Sequence, residues 1–459
     1  MRWSTVIVLL LGYALVLGAP FALRVKEEQQ ASAGEAPLPE GLPEKELVVI
    51  SPHSETIRTE FEHAFNRWAA ETQGFKVRID WRDVGGTMTA MKFVDDSFKR
   101  TPDGIGIDLF FGGGVDPCLE FTPKGLLAPC DLPEDVIGPV PQTYAGMEVY
   151  HPDRLWFGAC LAGFGIIYNK PVLEMLGLPE PATWADLARP EYFTWVASGD
   201  PRQSGSMHMV YEIILQAYGW ENGWEMVTRI GANCRGFTSQ ASDVPKDVSA
   251  GEAACGMAID LYALRAIAEA GSDRLAFVLP EGLTVVNPDT IMMLKGAPHR
   301  EVACLFIQFV LSEHGQKLWV LRAGAPGGPR KHQLYRLPLI PGFAKRFGDD
   351  AVVTFDPFQF EGGVDFDPDK KNLRWRILND LLGACIIDVR DELSAAWRRL
   401  RNLPDTDPRR RELLSPPVSE DELLELAREK WDDPAFRART KSDWSRDASV
   451  RYRRLMEAR

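Results

Sequence analysis

Residues 251–263, with the sequence GEAACGMAIDLYA, form the most informative stretch of the chain. The pattern predicts the end of a helix, then a strand buried on both faces, then a polar and aromatic tip. That tip carries Asp260 and Tyr262. Because ligands of α/β proteins sit beyond the carboxyl ends of strands, the tip is a candidate binding position.

The N-terminal half repeats the same alternation of strand and helix. Apolar or alternating runs at LVVIS (47–51), KVRIDWRDV (76–84) and IDLFF (107–111) predict three strands. Amphipathic segments between and after them predict helices, so the sheet should be parallel with helices on its faces. Each strand ends in small or polar residues at a helix start, where free N–H groups favour anions. The candidate ligand contacts at these three tips are His53, Ser54, Gly86, Thr87, Gly113 and Gly114.

A second α/β unit follows residues 155–171, a long apolar stretch suited to crossing between two lobes. FTWVAS (193–198) predicts a buried strand, and Ser204-Gly205-Ser206 then begins a helix. Those three residues are either a plain N-cap or a receptor for a polar group. Residues 275–294 lead back to the first lobe, which one long helix from about Arg300 to Leu321 should close.

The composition narrows the class of function. The chain has 459 residues and a net charge of −13, which argues against nucleic acid and anionic membrane surfaces as partners. It lacks a GxSxG elbow, a P-loop, an HExxH helix and a CxxC pair, and its seven histidines have no metal-ligand spacing. We therefore expect neither an enzyme nor a bound cofactor or metal, with a hydrolase of unusual site as the alternative.

The N-terminus predicts export. Residues 1–23 read as a signal anchor or a signal peptide, because the uncharged run at 5–23 would span roughly 28 Å as a helix. Residues 24–45 resemble a flexible tether. In an exported chain, Cys118 with Cys130 or Cys234 with Cys255 could form disulfides, and free buried cysteines are the alternative.

Several motifs together carry a family resemblance. VVISPHSETIRTEFEHAF (48–65), IDLFFGGG (107–114), FGIIYNKP (164–171), PATWADLARPEY (181–192) and the 251–263 stretch resemble periplasmic substrate-binding proteins of ABC transporters. The matching group includes ferric-ion, phosphonate and sugar-phosphate binding members, and the likeness covers roughly residues 46 to 330. It implies an α/β, type II periplasmic-binding-protein fold with two lobes, each a mainly parallel sheet flanked by helices. Lobe 1 would comprise 46–160 plus 284–335, lobe 2 would comprise 161–283, and 336–459 would form a helical C-terminal extension.

The resemblance also implies a ligand site between the lobes. To the three tips of lobe 1 it adds Ser204, Gly205, Ser206, Asp260, Tyr262, Asn287 and Asp289. The lobes would close on a small solute and deliver it to a membrane permease. We expect a monomer in the periplasm or at the cell exterior, tethered to the cytoplasmic membrane by residues 5–23.

The expected ligand class follows from one difference between this chain and the ferric-ion-binding members of the family. Ferric members carry two adjacent tyrosines where this chain has Tyr262-Ala263, so a ligand to the metal is missing. We expect a phosphorylated or carboxylated solute, bound by helix N-termini and hydroxyls without a formal countercharge. A ferric-ion-binding protein and a ligand-sensing subunit for a membrane receptor are the alternatives. The triplet Asp365, Asp367 and Asp369 is interpreted as a solvated turn, because a calcium loop would need Gly where Lys370 stands.

Overall fold

The computed structural model describes residues 38–144, 147–353, 356–359 and 363–457. The predicted anchor or signal peptide and residues 24–37 of the predicted tether lie outside the described residues. Within the described ranges, no helix is both long and apolar enough to cross a membrane.

The first lobe begins with the three predicted strand–helix units. The first strand pairs in parallel with the second along its whole length and with the third at its end. The third strand, Leu109–Phe111, is shorter than predicted. Just before it, the carboxylate of the buried Asp108 accepts from the backbone N–H groups of Val48 and His299, at 2.8 and 2.6 Å. The elements up to the first crossing are β1 (Glu44–Ile50), α1 (Glu55–Thr72), β2 (Lys76–Arg82), α2 (Thr87–Arg100), β3 (Leu109–Phe111), α3 (Asp116–Phe121), β4 (Leu127–Ala128), α4 (Glu134–Ile137), β5 (Thr143–Tyr144) and β6 (Met147–Glu148).

The second lobe is built on the predicted crossing strand. Its parallel strands pair in the order β10, β8, β9, and helices cover the sheet. Its elements are β7 (Trp156–Asn169), α5 (Lys170–Leu176), α6 (Trp184–Leu187), a 3₁₀ turn (Pro190–Tyr192), β8 (Val196–Gly199), α7 (Gly205–Tyr218), α8 (Trp220–Asn233), β9 (Cys234–Thr238), α9 (Asp243–Ser249), β10 (Cys255–Ile259), α10 (Asp260–Ala270) and β11 (Leu275–Val278).

Two strands connect the lobes. The first half of β7 pairs antiparallel with β12 (Val286–Leu294), and its second half pairs antiparallel with β10 and β11. The change of partner falls between Gly163 and Phe164. The sheet order is therefore β2-β1-β3-β12-β7-β10-β8-β9, with the lobe boundary inside one continuous, fully buried strand. This arrangement confirms the predicted two-lobed α/β fold.

The prediction of a single long helix from about Arg300 to Leu321 is wrong. The structure has two helices, α11 (Arg300–Leu311) and α12 (Glu313–Val320). Ser312 between them is extended, with φ −64° and ψ 165°, and its hydroxyl donates to the carbonyl oxygen of Phe309 at 2.7 Å. The local side-chain bond thus replaces the continuing helical ladder.

All seven cysteines are free thiols, so neither pairing suggested by spacing is formed. Cys118 and Cys130 are buried in different hydrophobic clusters of the first lobe. Cys234 and Cys255 begin β9 and β10, which the intervening β8 separates. Short loops in the sequence therefore do not bring either pair of sulfur atoms together.

The C-terminal extension is helical and divides its packing between the lobes. Its buried apolar side chains from residue 368 onward belong to the same hydrophobic cluster as those of β8, α7 and α8. Its first part packs instead in a cluster of the first lobe, through Leu337, Leu339, Ile340, Phe343, Ala344 and Val353. Asp367 caps the first long helix by accepting from the Lys370 amide at 2.9 Å. The elements are two 3₁₀ segments (Ala344–Asp350, Pro357–Gln359), α13 (Pro368–Leu382), a π-helical turn (Gly383–Ile387), α14 (Arg390–Leu400), α15 (Pro408–Leu414), α16 (Glu420–Glu429) and α17 (Pro434–Glu457).

Candidate ligand-binding cleft

Strand ends from both lobes converge on a partly open space of about 110 Å³, here called the inner cavity. Its floor is formed by the crossing strands β7 and β12, and its sides by the tips of the two lobes. The lining residues are Pro52, His53, Ser54, Ile57, Thr87, Gly113, Gly114, Val115, Asp116, Ala162, Phe164, Gly205, Ser206, Met209, Ile259, Leu261, Tyr262, Asn287, Pro288, Asp289 and Arg336.

A wider and more polar space of about 720 Å³, here called the outer cleft, adjoins the inner cavity. His53, Thr87, Ser206 and Tyr262 line both spaces. The other walls of the outer cleft come from loops of both lobes: Glu55, Arg58, Asp83, Gly85, Gly86, Met88, Thr89, Arg202, Gln203, Ser204, Ser239, Gln240, Ala241 and Ser242.

The two lobes approach each other closely across the cleft. A Cβ atom built on Gly86 of lobe 1 would lie 3.8 Å from the carbonyl oxygen of Gln203 in lobe 2. A Cβ atom built on Gly205 of lobe 2 would lie 3.9 Å from Oδ2 of Asp116 in lobe 1. These are van der Waals distances, so the structure represents a closed arrangement of the clamp.

The Gly112–Gly114 tip needs glycine for steric reasons. All three residues have positive φ, at 101°, 91° and 73°. A Cβ atom at Gly112 would lie only 2.6 Å from Nε2 of His53, and one at Gly113 would lie 2.8 Å from Cγ2 of Thr87. The glycines therefore let the third tip pack directly against the other two.

The most distinctive feature of the inner cavity is a buried cluster of charged groups around Asp289. One carboxylate oxygen, Oδ2, accepts from Nη2 of Arg336 at 3.0 Å and lies 2.9 Å from Nε2 of His53. The other oxygen accepts from the Gly114 amide at 2.7 Å. Burial opposes ionisation of Asp289, but His53 and Arg336 outweigh it and hold its pKa well below the ordinary value.

Several nitrogen atoms of this cluster remain without partners. Nε and Nη1 of Arg336 and Nδ1 of His53 are buried and have no hydrogen-bond partner among the described residues. Arg336 is only 5% exposed, and burial without a partner costs about 1–3 kcal/mol for each polar group. Nε and Nη1 of Arg336, a residue that lines the cavity, are thus donors whose acceptors the described residues do not supply.

The backbone next to Arg336 explains how this side chain reaches the cavity. Tyr335 has φ 53°, an unusual conformation for a residue with a side chain. The flanking residues are fixed by hydrogen bonds from the Arg336 amide to Trp319 O at 3.1 Å and from the Leu161 amide to Leu337 O at 2.8 Å. The second of these bonds attaches the segment to β7 at the lobe boundary.

Asp260 stands apart from the other predicted site residues. It lines neither the inner cavity nor the outer cleft. Its carboxylate accepts from the backbone amides of Gly163 at 2.8 Å and Leu261 at 2.6 Å, behind the cavity wall. Burial raises its pKa to about 6, although Arg336 and the two amides oppose that shift.

The structure brings the remaining predicted residues together. Two of them, Gly86 and Ser204, line the outer cleft, and the hydroxyl of Ser204 also caps α7 by accepting from the Met207 amide at 3.4 Å. Gly114 uses its amide on Asp289, so its N–H is not available to a ligand. Those that line the inner cavity are His53, Ser54, Thr87, Gly113, Gly114, Gly205, Ser206, Tyr262, Asn287 and Asp289. Their contact with a ligand stays a prediction.

Sequence reasoning missed Arg336 and Asp116, and it expected no formal countercharge in the site. The structure places a cationic side chain at the cavity, since Arg336 lines it and pairs there with Asp289. It follows the last helix of lobe 1, where no strand end or motif marks it as a site residue. Asp116 follows the glycine tip closely enough for the strand-end rule to include it.

Comparison with known proteins places the chain in a family. The family model described as bacterial extracellular solute-binding protein matches residues 105–342, just over half of the chain. The phosphoglycerate transport regulatory protein PgtC of Salmonella typhimurium is 30% identical over 158 residues, which are 34% of this chain and 39% of that protein. The matched region thus spans about two fifths of this curated relative.

Solved structures agree on the fold. The periplasmic binding protein AfuA from Actinobacillus pleuropneumoniae, with exogenous fructose-6-phosphate bound, has a TM-score of 0.57 at 20% identity, covering 78% of this chain and 100% of that one. Iron-bound HitA from Pseudomonas aeruginosa has a TM-score of 0.54 at 19% identity, covering 73% and 99%. The chain therefore belongs to the bacterial extracellular solute-binding proteins and has their periplasmic-binding-protein fold.

Proposed function

We propose that this solute-binding protein captures a small phosphorylated or carboxylated solute by closure of its lobes and delivers it to an ABC transporter permease. The observation that carries the proposal is the buried guanidinium of Arg336, whose Nε and Nη1 have no partner in the inner cavity. A guanidinium presents its donors in a planar fork that matches a carboxylate or phosphate.

Two features near Arg336 also favour an anionic group. Both oxygens of Asp289 already accept hydrogen bonds from protein donors, so Asp289 has little capacity left for a ligand. The N-terminus of α7, at Gly205 and Ser206, faces the same space and adds the positive end of a helix dipole. An anion would thus satisfy donors that are otherwise buried without acceptors.

The outer cleft supports a ligand with a polar body attached to the anionic group. Gln203, Ser239, Gln240 and Ser242 line it and can both donate and accept hydrogen bonds, as hydroxylated solutes require. Two relatives agree with this chemistry, since AfuA was solved with fructose-6-phosphate and PgtC is named for phosphoglycerate transport. A phosphorylated polyol or hydroxy acid is the ligand class that fits both spaces.

A ferric ion fits the inner cavity less well. Iron(III) favours several anionic oxygen ligands. Tyr262 is the one phenol among the lining residues, Asp289 is occupied by His53, Arg336 and Gly114, and Asp116 is paired with Lys371. Tight binding of iron would therefore argue against the proposed ligand class.

We also propose the lobe boundaries, the oligomeric state and the location of the protein. We assign lobe 1 to 46–160 with 284–335 and lobe 2 to 161–283, and we propose that the protein acts as a monomer. It would lie in the periplasm or at the cell exterior, held at the cytoplasmic membrane by residues 5–23. Close to that membrane, released solute would be near the permease.

Isothermal titration calorimetry of the purified full-length protein tests the ligand class. Fructose 6-phosphate, phosphoglycerate, citrate and ferric citrate are the probes. At least one phosphorylated or carboxylated probe should bind at one-to-one stoichiometry. Arg336→Met should weaken that binding by about 100-fold, because removing one side of a buried charge-assisted contact costs about 2–5 kcal/mol.

Arg322→Met is the matched control. Arg322 is half exposed at the end of lobe 1 and pairs with Asp350 at 2.7 Å, and it lines neither the inner cavity nor the outer cleft. Its replacement should leave affinity unchanged. Tight binding of iron with a visible phenolate colour, or equal affinity in Arg336→Met and the unaltered protein, would refute the proposal.

A sensing role is the second candidate function. It is favoured by the relative PgtC, which is named a regulatory protein of phosphoglycerate transport. Uptake and sensing would use the same closed cleft and differ in the membrane partner. Uptake of labelled solute into cells should be lost on gene deletion if the protein serves transport, and should persist if it only presents ligand to a receptor.

A further inference from the structure

The C-terminal extension reaches the ligand site through one buried lysine. Lys371 lies on α13, is 1% exposed, and pairs with the carboxylate of Asp116. Its ammonium group also lies 4.3 Å from the ring centroid of Trp375. Asp116 begins α3 of lobe 1 and lines the inner cavity, so this ion pair joins the extension to the wall of the site.

The extension is fixed to lobe 2 by its own buried contacts. Arg374 donates to Glu212 at 2.8 Å, and both residues are 0% exposed. Next to them, Nδ1 of His208 lies 2.7 Å from Oδ1 of Asn379. Because α13 packs on lobe 2 and Asp116 belongs to lobe 1, the Lys371–Asp116 pair joins the two sides of the cleft.

The position of Asp116 creates an electrostatic problem for an anion site. A carboxylate lining the cavity would repel a phosphate or carboxylate ligand, and repulsion in a partly desolvated site is poorly screened. Lys371 places its amine against that carboxylate from outside the cavity. Burial lowers the pKa of Lys371 to about 7, but a carboxylate in contact with the amine favours its charged form. The extension therefore removes a repulsive charge from the site.

We infer that Lys371 is a positioning residue for ligand binding, which neutralises Asp116 across the closed cleft and makes the C-terminal extension part of the anion site. This inference rests on the proposed function, because it matters only for an anionic ligand. It assigns the extension a role in affinity: the ion pair forms when the lobes close, and it makes the closed cavity compatible with the negative charge of the ligand.

Calorimetry on full-length variants, with fructose 6-phosphate, phosphoglycerate and citrate as probes, tests the inference. Lys371→Met should weaken binding of the anion at least tenfold, since the Asp116 carboxylate is then unpaired in the cavity wall. Lys370→Met is the matched control. It removes the same charge one residue earlier, where Lys370 is partly exposed and lies 3.5 Å from Glu420, and it should change affinity less than twofold.

A double variant separates this role from a merely structural one. Asp116→Asn combined with Lys371→Met should restore affinity to within about threefold of the unaltered protein, because no unpaired carboxylate remains. Asp116→Asn alone removes the negative charge from the cavity wall and should bind the anion at least as tightly as the unaltered protein. These two variants also test the role of Lys371 in anion binding if Lys371→Met alone fails to fold.

The outcomes distinguish the inference from the proposed function. If the unaltered protein binds none of the three anions, the proposed function fails and the inference fails with it. If it binds one of them and Lys371→Met binds equally well, the inference alone is refuted. The inference is also refuted if the double variant binds no better than Lys371→Met, or if Asp116→Asn alone weakens binding.

Discussion

At the scale of single residues, two buried aspartates near the cleft have opposite environments. Asp289 is surrounded by His53, Arg336 and the Gly114 amide, and its pKa lies well below the ordinary value. Asp260 receives only two backbone N–H groups, and burial raises its pKa to about 6. The first carboxylate therefore holds the donors of the site in place, while the second is ionised at a cost to the folded state.

The raised pKa of Asp260 predicts a specific dependence of stability on pH. A carboxyl whose pKa is about 6 when folded and 3.8 when unfolded binds its proton more tightly in the folded state. Its stabilising contribution is complete below pH 3.8 and is lost as pH rises through 6, by up to about 3 kcal/mol. Asp260→Asn should therefore remove this component from the pH profile of the unfolding free energy.

Urea denaturation between pH 4 and pH 7.5 measures this difference. The gap between Asp260→Asn and the unaltered protein should change steadily across that range and level off above pH 7. Glu281→Gln is a suitable control because Glu281 is an exposed carboxyl of the same lobe. Parallel pH profiles for Asp260→Asn and the unaltered protein would show that Asp260 is not the titrating group.

These residues also show how far the candidate site was predictable from sequence. Thr87, Ser206 and Tyr262 were found because parallel strands end at one edge of a sheet, which is a rule about sequence order. The same rule selected Asp260, but its register at the start of α10 turns the side chain toward the Gly163 amide. Arg336 was not predicted as a site residue because its position depends on the positive φ at Tyr335 and on pairing of the segment with β7. Neither feature has a signal in the local sequence.

At the scale of secondary-structure elements, α7 has two separate roles. Its N-terminus lines both parts of the cleft, while one face of the helix is fastened to the extension. His208, Glu212 and Gln216 are spaced four residues apart on that face. They contact Asn379, Arg374 and Asp367, respectively. Burial lowers the pKa of His208 to about 4, so its contact with Asn379 is made by a neutral ring.

This contact face predicts that Arg374 is essential for stability. Arg374→Met should lower the free energy of unfolding by about 3–5 kcal/mol, because it leaves the buried Glu212 carboxylate without its partner. Arg376→Met, two residues later on the same helix, should change it by less than about 1 kcal/mol, since Arg376 is half exposed and pairs with an exposed Asp432. Urea denaturation followed by tryptophan fluorescence measures both.

The double variant Glu212→Leu with Arg374→Met tests the cause. Removal of both charges should recover a large part of the lost stability, as replacement of buried ion pairs by apolar residues often does. If the double variant is as unstable as Arg374→Met, the loss comes from packing of the arginine stem rather than from an unpaired charge.

At the scale of the whole molecule, the cores of the two lobes are separate, and the extension from α13 onward belongs to the core of lobe 2. The alternation of strands and helices predicted the two-lobed fold because it depends on local hydrophobic period. It could not assign the extension, since amphipathic helices show that a face is buried but not against what. The polar stripe at His208, Glu212 and Gln216 on an otherwise apolar helix was the available signal of a partner.

Truncation after Val353 should consequently unfold lobe 2 while lobe 1 remains folded. It removes Ile377, Leu378, Leu381 and Leu382, each at most 1% exposed and packed in the lobe 2 core. Burial of such side chains contributes about 1.5–3 kcal/mol each, so their combined loss approaches the whole stability of a domain.

Hydrogen–deuterium exchange of the truncated and full-length proteins, read peptide by peptide, resolves the two lobes. Peptides from β8, α7 and β10 should lose protection on truncation, whereas those from β1, β3 and α11 should keep it, because the cores of lobe 1 contain none of these four extension side chains. Retained protection in β8 and β10 would mean that lobe 2 is stable by itself. The extension would then be an accessory placed on a finished domain, and Lys371 would be its main link to the ligand site.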